Sequence, residues 1–120
     1  MVDEIRVNDY VRTKDGNIAQ ITKIRKYTDR KLIETDSIGA FGYEYLRKQV
    51  VKHSQNLIDL IECEDYVNGK EVIMDLKKSK EWYKSNDNFI TCKDYTFGEN
   101  EIQTIVTKEQ IKAIEYRVKG

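Results

Sequence analysis

Apolar residues fall along the chain in short runs bounded by Gly, Asn and Asp, which is the pattern of β-strands and tight turns rather than of long helices. The strongest signal is an internal repeat. Ile5-Arg6-Val7-Asn8-Asp9-Tyr10-Val11 returns 56 residues later as Ile61-Glu62-Cys63-Glu64-Asp65-Tyr66-Val67, with apolar positions 5, 7, 10 and 11 matching 61, 63, 66 and 67. Each copy leads into hairpin chemistry. Lys14-Asp15-Gly16-Asn17 follows the first and Asn68-Gly69 the second, and both tolerate the pair of positive φ values of a tight turn. The spacing of Ile18, Ile21 and Ile24 suits a helix or a bulged strand; the preceding Asp-Gly and the β-branched content favour the bulged strand.

Further strands are expected at 31–36, 49–52, 88–93 and 101–106, and turns at Gly39-Ala40-Phe41-Gly42 and Phe97-Gly98-Glu99-Asn100. Tyr43 to Lys48 reads equally as strand or helical turn. One helix is signalled: Thr107 and Gln110 have capping-box spacing ahead of Ile111 and Ile114, with an end near Glu115 and a last strand at Tyr116 to Val118. The expected fold is therefore mainly β, two small SH3-like barrels in tandem with one short C-terminal helix. The repeat divides the chain into 1–56 and 57–120. Each half is small for a self-sufficient core, so the two are expected to pack as one compact unit through Leu57, Ile58, Leu60 and Ile61.

Composition narrows the function classes. Lys plus Arg and Asp plus Glu are each 21, so a net charge of zero excludes a histone-like basic binder and an acidic nucleic-acid mimic. No run of apolar residues is long enough to span a membrane, and no basic-then-apolar leader opens the chain, which leads to the expectation of a cytoplasmic setting. Cys63 and Cys92 lack metal-ligand spacing and read as reduced, small apolar residues. His53 is the single histidine, and Lys52-His53-Ser54-Gln55-Asn56 reads as an exposed connection, so neither a zinc site nor a nucleophile–base pair is nominated. No enzyme, cofactor or metal is expected.

Two segments join basic and aromatic residues. Lys23, Arg25, Lys26, Tyr27, Arg30 and Lys31 stand against one acid, Asp29; Lys77, Lys78, Lys80, Trp82, Tyr83 and Lys84 stand against Glu81. The repeat offset sets Tyr27 opposite Tyr83, and both segments are expected on hairpin tips. Lys and Arg suit phosphate or carboxylate, while aromatic and Arg side chains are the usual anchors of protein interfaces. The candidate partner-binding set is Lys23, Arg25, Lys26, Tyr27, Arg30, Lys31, Lys80, Trp82, Tyr83 and Lys84. Two further patches are an acidic stretch (Asp59, Glu62, Glu64, Asp65) and an aromatic group near glycines (Phe41, Tyr43, Tyr45).

The string Val51 to Glu62 followed by Asp65-Tyr66-Val67-Asn68-Gly69 resembles short proteins of phages and prophages of low-GC Gram-positive bacteria. So do the opening Asp9 to Gly16 and the ending Ile102 to Gln110. The resemblance covers about half of the chain and reaches both repeats, but not Lys77 to Asn88. It implies two small β units and a phage-related origin, with no catalytic residues to carry over. By analogy with phage accessory proteins of this size, it implies an anti-defence role, an anti-CRISPR that inhibits an effector nuclease by direct binding, as monomer or homodimer. A nucleic-acid-binding SH3-like module and a sponge for a signalling nucleotide are the alternatives.

Overall fold

The computed structural model describes residues 4–115. Strands cover 38% and helices 26% of them, in two five-stranded antiparallel sheets, one a half-barrel, with three α-helices. The chain divides into two units, 1–60 and 61–120.

The first unit is a meander that closes on its first strand. β1 (Tyr10–Thr13) turns through Lys14 to Asn17 into β2 (Ile18–Lys26), followed by β3 (Lys31–Thr35), β4 (Ala40–Gly42), α1 (Tyr43–Gln49) and β5 (Val50–Ser54); the sheet order is β4-β3-β2-β1-β5. In the first turn only Gly16 takes a positive φ, 83°. Asp15 does not, so the loop is a glycine-terminated turn rather than the expected positive-φ pair. β2 carries the bulge, a register shift between Ile21 and Lys23. The extra residue reverses the side-chain parity, so Ile21 and Ile24 both face the core despite their spacing of three. Ile5, Val11, Ala19, Ile21, Ile33, Leu46 and Val50 make that core, with Phe41 and Tyr43 half-buried against it.

The second unit contains β6 (Tyr66–Val67), β7 (Lys70–Met74), α2 (Leu76–Tyr83), β8 (Phe89–Cys92), β9 (Tyr95–Gly98), β10 (Ile105–Val106) and α3 (Lys108–Ile114), in the sheet order β10-β6-β7-β8-β9. Strand for strand this is the order of the first unit. Asn68 and Gly69, at φ 51° and 80°, form the two-residue positive-φ turn expected between β6 and β7. Val67, Val72, Ile90, Cys92 and Phe97 are buried.

The repeated sequence makes the same turn twice. Asn8 and Glu64 both take left-handed backbone, φ 74° and 78°. Their N–H groups donate to Ile21 O and Val72 O, each at 2.8 Å, and the next residue accepts from the same partner: Ile21 N to Asp9 O (2.8 Å), Val72 N to Asp65 O (2.7 Å). The aspartate side chain then folds back onto the chain three residues earlier. Asp9 Oδ2 accepts from Arg6 N at 3.0 Å and Asp65 Oδ2 from Glu62 N at 2.7 Å. Both carboxylates are buried, and their hydrogen bonds are what make burial tolerable.

Several expectations are corrected. Leu57–Leu60 is a 3₁₀ helix against β1 and β5 of the first unit, so the division falls after Leu60 rather than after Asn56. Gly39-Ala40-Phe41-Gly42 is not a turn: Ala40–Gly42 pairs with β3. Lys52-His53-Ser54 lies in β5 with His53 opposite Val11, not in an exposed connection. Residues 99–101 are 3₁₀ helix, which leaves only Ile105–Val106 as strand. The capping box stands: Gln110 N donates to Thr107 Oγ1 and Thr107 N to Gln110 Oε1. It opens one of three α-helices, not the single one expected. The strand expected at 116–118 lies outside the described residues.

Candidate binding cleft

The β2–β3 hairpin ends on Tyr27-Thr28-Asp29-Arg30, closed by Tyr27 N to Arg30 O at 2.8 Å. Short loops of this kind leave side chains no core to enter, and Tyr27 is 50% exposed. Three of the five basic residues of this segment have an internal partner. The Arg30 guanidinium sits 5.4 Å from the Tyr27 ring centre and Lys31 Nζ 5.0 Å from that of Tyr43, both within cation–π range. Arg25 Nε is bonded to the Glu34 carboxylate, and that hydrogen bond, with the attraction of the charge, raises its pKa further above the usual guanidinium value. Lys23 and Lys26 are exposed on β2.

Strand pairing delivers the second wall. Leu32 pairs with Gly42, so β4 ends beside the start of β3 and α1 begins next to the hairpin tip. Tyr45, 57% exposed, stacks on Phe41 with centroids 5.9 Å apart. Between tip and helix lies an open cleft of about 690 Å³, lined among others by Tyr27, Arg30, Lys31, Tyr43, Glu44 and Tyr45. A smaller hollow of about 370 Å³ continues past Lys31 and Tyr43 to Lys26, Ile24 and Val7. The hairpin segment and the aromatic group at 41–45, separate in sequence, are thus one surface. Its walls mix aromatic faces with cations, while Asp29 and Glu44 offset Arg30 and Lys31. Such a surface suits a mixed apolar and polar partner better than a polyanion.

The other candidate segment is not a hairpin tip. Asp75 caps α2, accepting from Lys78 N at 2.9 Å; Ser79 is buried, its hydroxyl 2.8 Å from Thr91 Oγ1; Lys84 ends the helix in left-handed backbone, φ 50°. It nevertheless joins β7 to β8 as the first segment joins β2 to β3, the same topological place in the two units. Trp82 is 72% exposed, and Tyr83 rests on Phe89 at 5.6 Å. Lys80 Nζ donates to Asn88 Oδ1 at 3.1 Å.

The remaining candidates serve the fold. The acidic stretch is dispersed: Asp59 accepts from Ser54 Oγ, Glu62 pairs with Lys108 at 2.8 Å, and Asp65 is the buried turn carboxylate. The bond to Glu62 raises the Lys108 pKa above the ordinary lysine value, against a smaller opposing effect of burial. Burial pushes the Cys92 thiol up, and both cysteines are free. His53 Nδ1 lies 3.0 Å from Asp9 Oδ2. Among the described residues, no group of three or more His, Cys, Asp or Glu can hold a metal ion, and no helix is long and apolar enough to cross a membrane. No family model, curated protein or solved structure matches the chain.

Proposed function

We propose that this is a non-enzymatic, phage-type anti-defence protein built from two SH3-like units. It inhibits a bacterial immune effector, a CRISPR nuclease or a comparable immune nuclease, by occupying its surface in the host cytoplasm. The observation that carries the binding part is the cleft of the first unit, where Tyr27, Tyr43 and Tyr45 with Arg30 and Lys31 gather anchor-type side chains. The phage resemblance supplies the class of target. No cofactor enters the reading.

The test is protection of a targeted plasmid in bacteria carrying an active CRISPR nuclease, across a panel of effector types. The wild type is expected to restore transformation against at least one effector. A Tyr27→Ala/Arg30→Ala/Tyr45→Ala variant, folded by circular dichroism, is expected to lose that protection. Failure against every effector, or full protection by the variant, overturns the proposal.

A further inference from the structure

The second unit holds its basic charge quite differently from the first. Lys77, Lys78 and Lys80 lie on α2 and Lys84 caps it, and among the described residues none of the four stands in an ion pair. Lys80 meets only an amide oxygen, and Lys78 Nζ only the Cys63 sulfur at 3.8 Å. In the first unit Arg25 is neutralised by Glu34, and Arg30 and Lys31 lie over tyrosine rings. Lys23 and Lys26 of β2 are exposed as well, but α2 and its cap gather four lysines within eight residues, alongside an exposed indole. At 3.6 residues per turn Lys77 lies opposite buried Ser79 beside Glu81, the helix's single acid, while Lys78 and Trp82 form an i,i+4 pair on one flank. Trp82 lies one turn beyond Lys78 and is the most exposed aromatic described, at 72%.

Lysines alone would suit any polyanion. An exposed indole among them adds a stacking face, which a base supplies and a carboxylate chain does not; in a duplex the base faces are already covered. We infer that α2 of the second unit binds single-stranded nucleic acid, with a base stacked on Trp82, a phosphate on Lys78 beside it, and further phosphates on Lys77 and Lys84 where the strand crosses the helix. This goes beyond the protein-partner reading, concerns the second unit alone, and stands or falls independently of it.

Trp82 is the single tryptophan of the chain, so its fluorescence reports this face directly. A short oligothymidylate is expected to quench it at low salt. Three phosphate contacts at a slope of about −0.7 each predict an affinity loss of about 20-fold between about 50 and 200 mM salt. Lys77→Gln/Lys78→Gln/Lys84→Gln should flatten that dependence. Trp82→Ala, followed by anisotropy of a labelled oligonucleotide, should weaken binding by about tenfold or more. The inference is overturned by absence of quenching and of anisotropy change at low salt, by equal quenching with polyglutamate, by equal binding of a duplex of the same length, or by an unchanged salt slope in the triple variant.

Discussion

Replacing Asp65 with Ala removes the carboxylate on which the second unit's repeat turn is built. The side chain is fully buried, accepting from Glu62 N at 2.7 Å and from Lys108 N, the first residue of α3, at 3.0 Å. Hydrogen bonds to a charged acceptor are worth about 1.5–3 kcal/mol each, and their loss strands two N–H donors. Removing the carboxylate also relieves its own desolvation, so the expected net loss is about 3 kcal/mol, near the larger end for single substitutions. For a unit of this size that corresponds to a fall in Tm of about 12–24 °C. Urea unfolding followed by Trp82 fluorescence reads the change in the unit that carries it. Asp9→Ala is the matched perturbation, since Asp9 also accepts from Arg6 N and faces His53 and Gln55. It should cost at least as much, read by circular dichroism. A loss below about 1 kcal/mol for Asp65→Ala would refute the reasoning, because burial with two intact donors could not then be what holds the turn.

Glu64 lies at φ 78°, a backbone that favours glycine; Glu64→Gly should leave stability unchanged or raise it by up to about 1 kcal/mol in urea melts, despite altering the repeat. Tyr27→Ala, Trp82→Ala and Tyr83→Ala remove exposed rings, so each should shift Tm by no more than a few degrees in calorimetry. The Lys108 pKa is raised in the folded state, so the stabilisation from its bond to Glu62 is complete below the ordinary lysine value of 10.5 and is lost as pH rises through the folded value. Lys108 is 40% exposed, which limits the effect to a few tenths of a kcal/mol; Glu62→Gln should abolish that part of the alkaline loss in urea melts on either side of that pH. Thiol labelling read by mass spectrometry should modify half-buried Cys63 in the native protein and Cys92 only on unfolding, because burial holds Cys92 as the neutral thiol.

The duplication was legible because its turn is written in the residues that need it: Asp9 and Asp65 at matched positions, each followed by Tyr-Val and a glycine turn. The bulge in β2 was legible for a related reason, since only a parity change reconciles Ile21 and Ile24 with one strand face. α2 was not legible. Its inward face carries Ser79, whose burial depends on Thr91 and Met74 O, so no apolar periodicity marks it; the signal present was Asp75, three residues before Lys78, as an N-cap. The cleft was half legible. Both of its walls stood out as aromatic segments, but their meeting depends on the pairing of Leu32 with Gly42, a long-range register that local pattern does not encode. Nor does sequence spacing reveal that Glu34, nine residues from Arg25, neutralises it.

The central claim, inhibition by occupancy through the first unit's cleft, is tested most directly by titrating the purified protein into a fixed amount of an effector nuclease that it blocks in cells. Residual cleavage is predicted to fall linearly to an end-point at stoichiometric equivalence, with the mass of the effector unchanged. Tyr27→Ala/Arg30→Ala/Tyr45→Ala should abolish that end-point. Complete inhibition at a small fraction of an equivalent, a covalent change in the effector, or an unaltered end-point with the triple variant would contradict it.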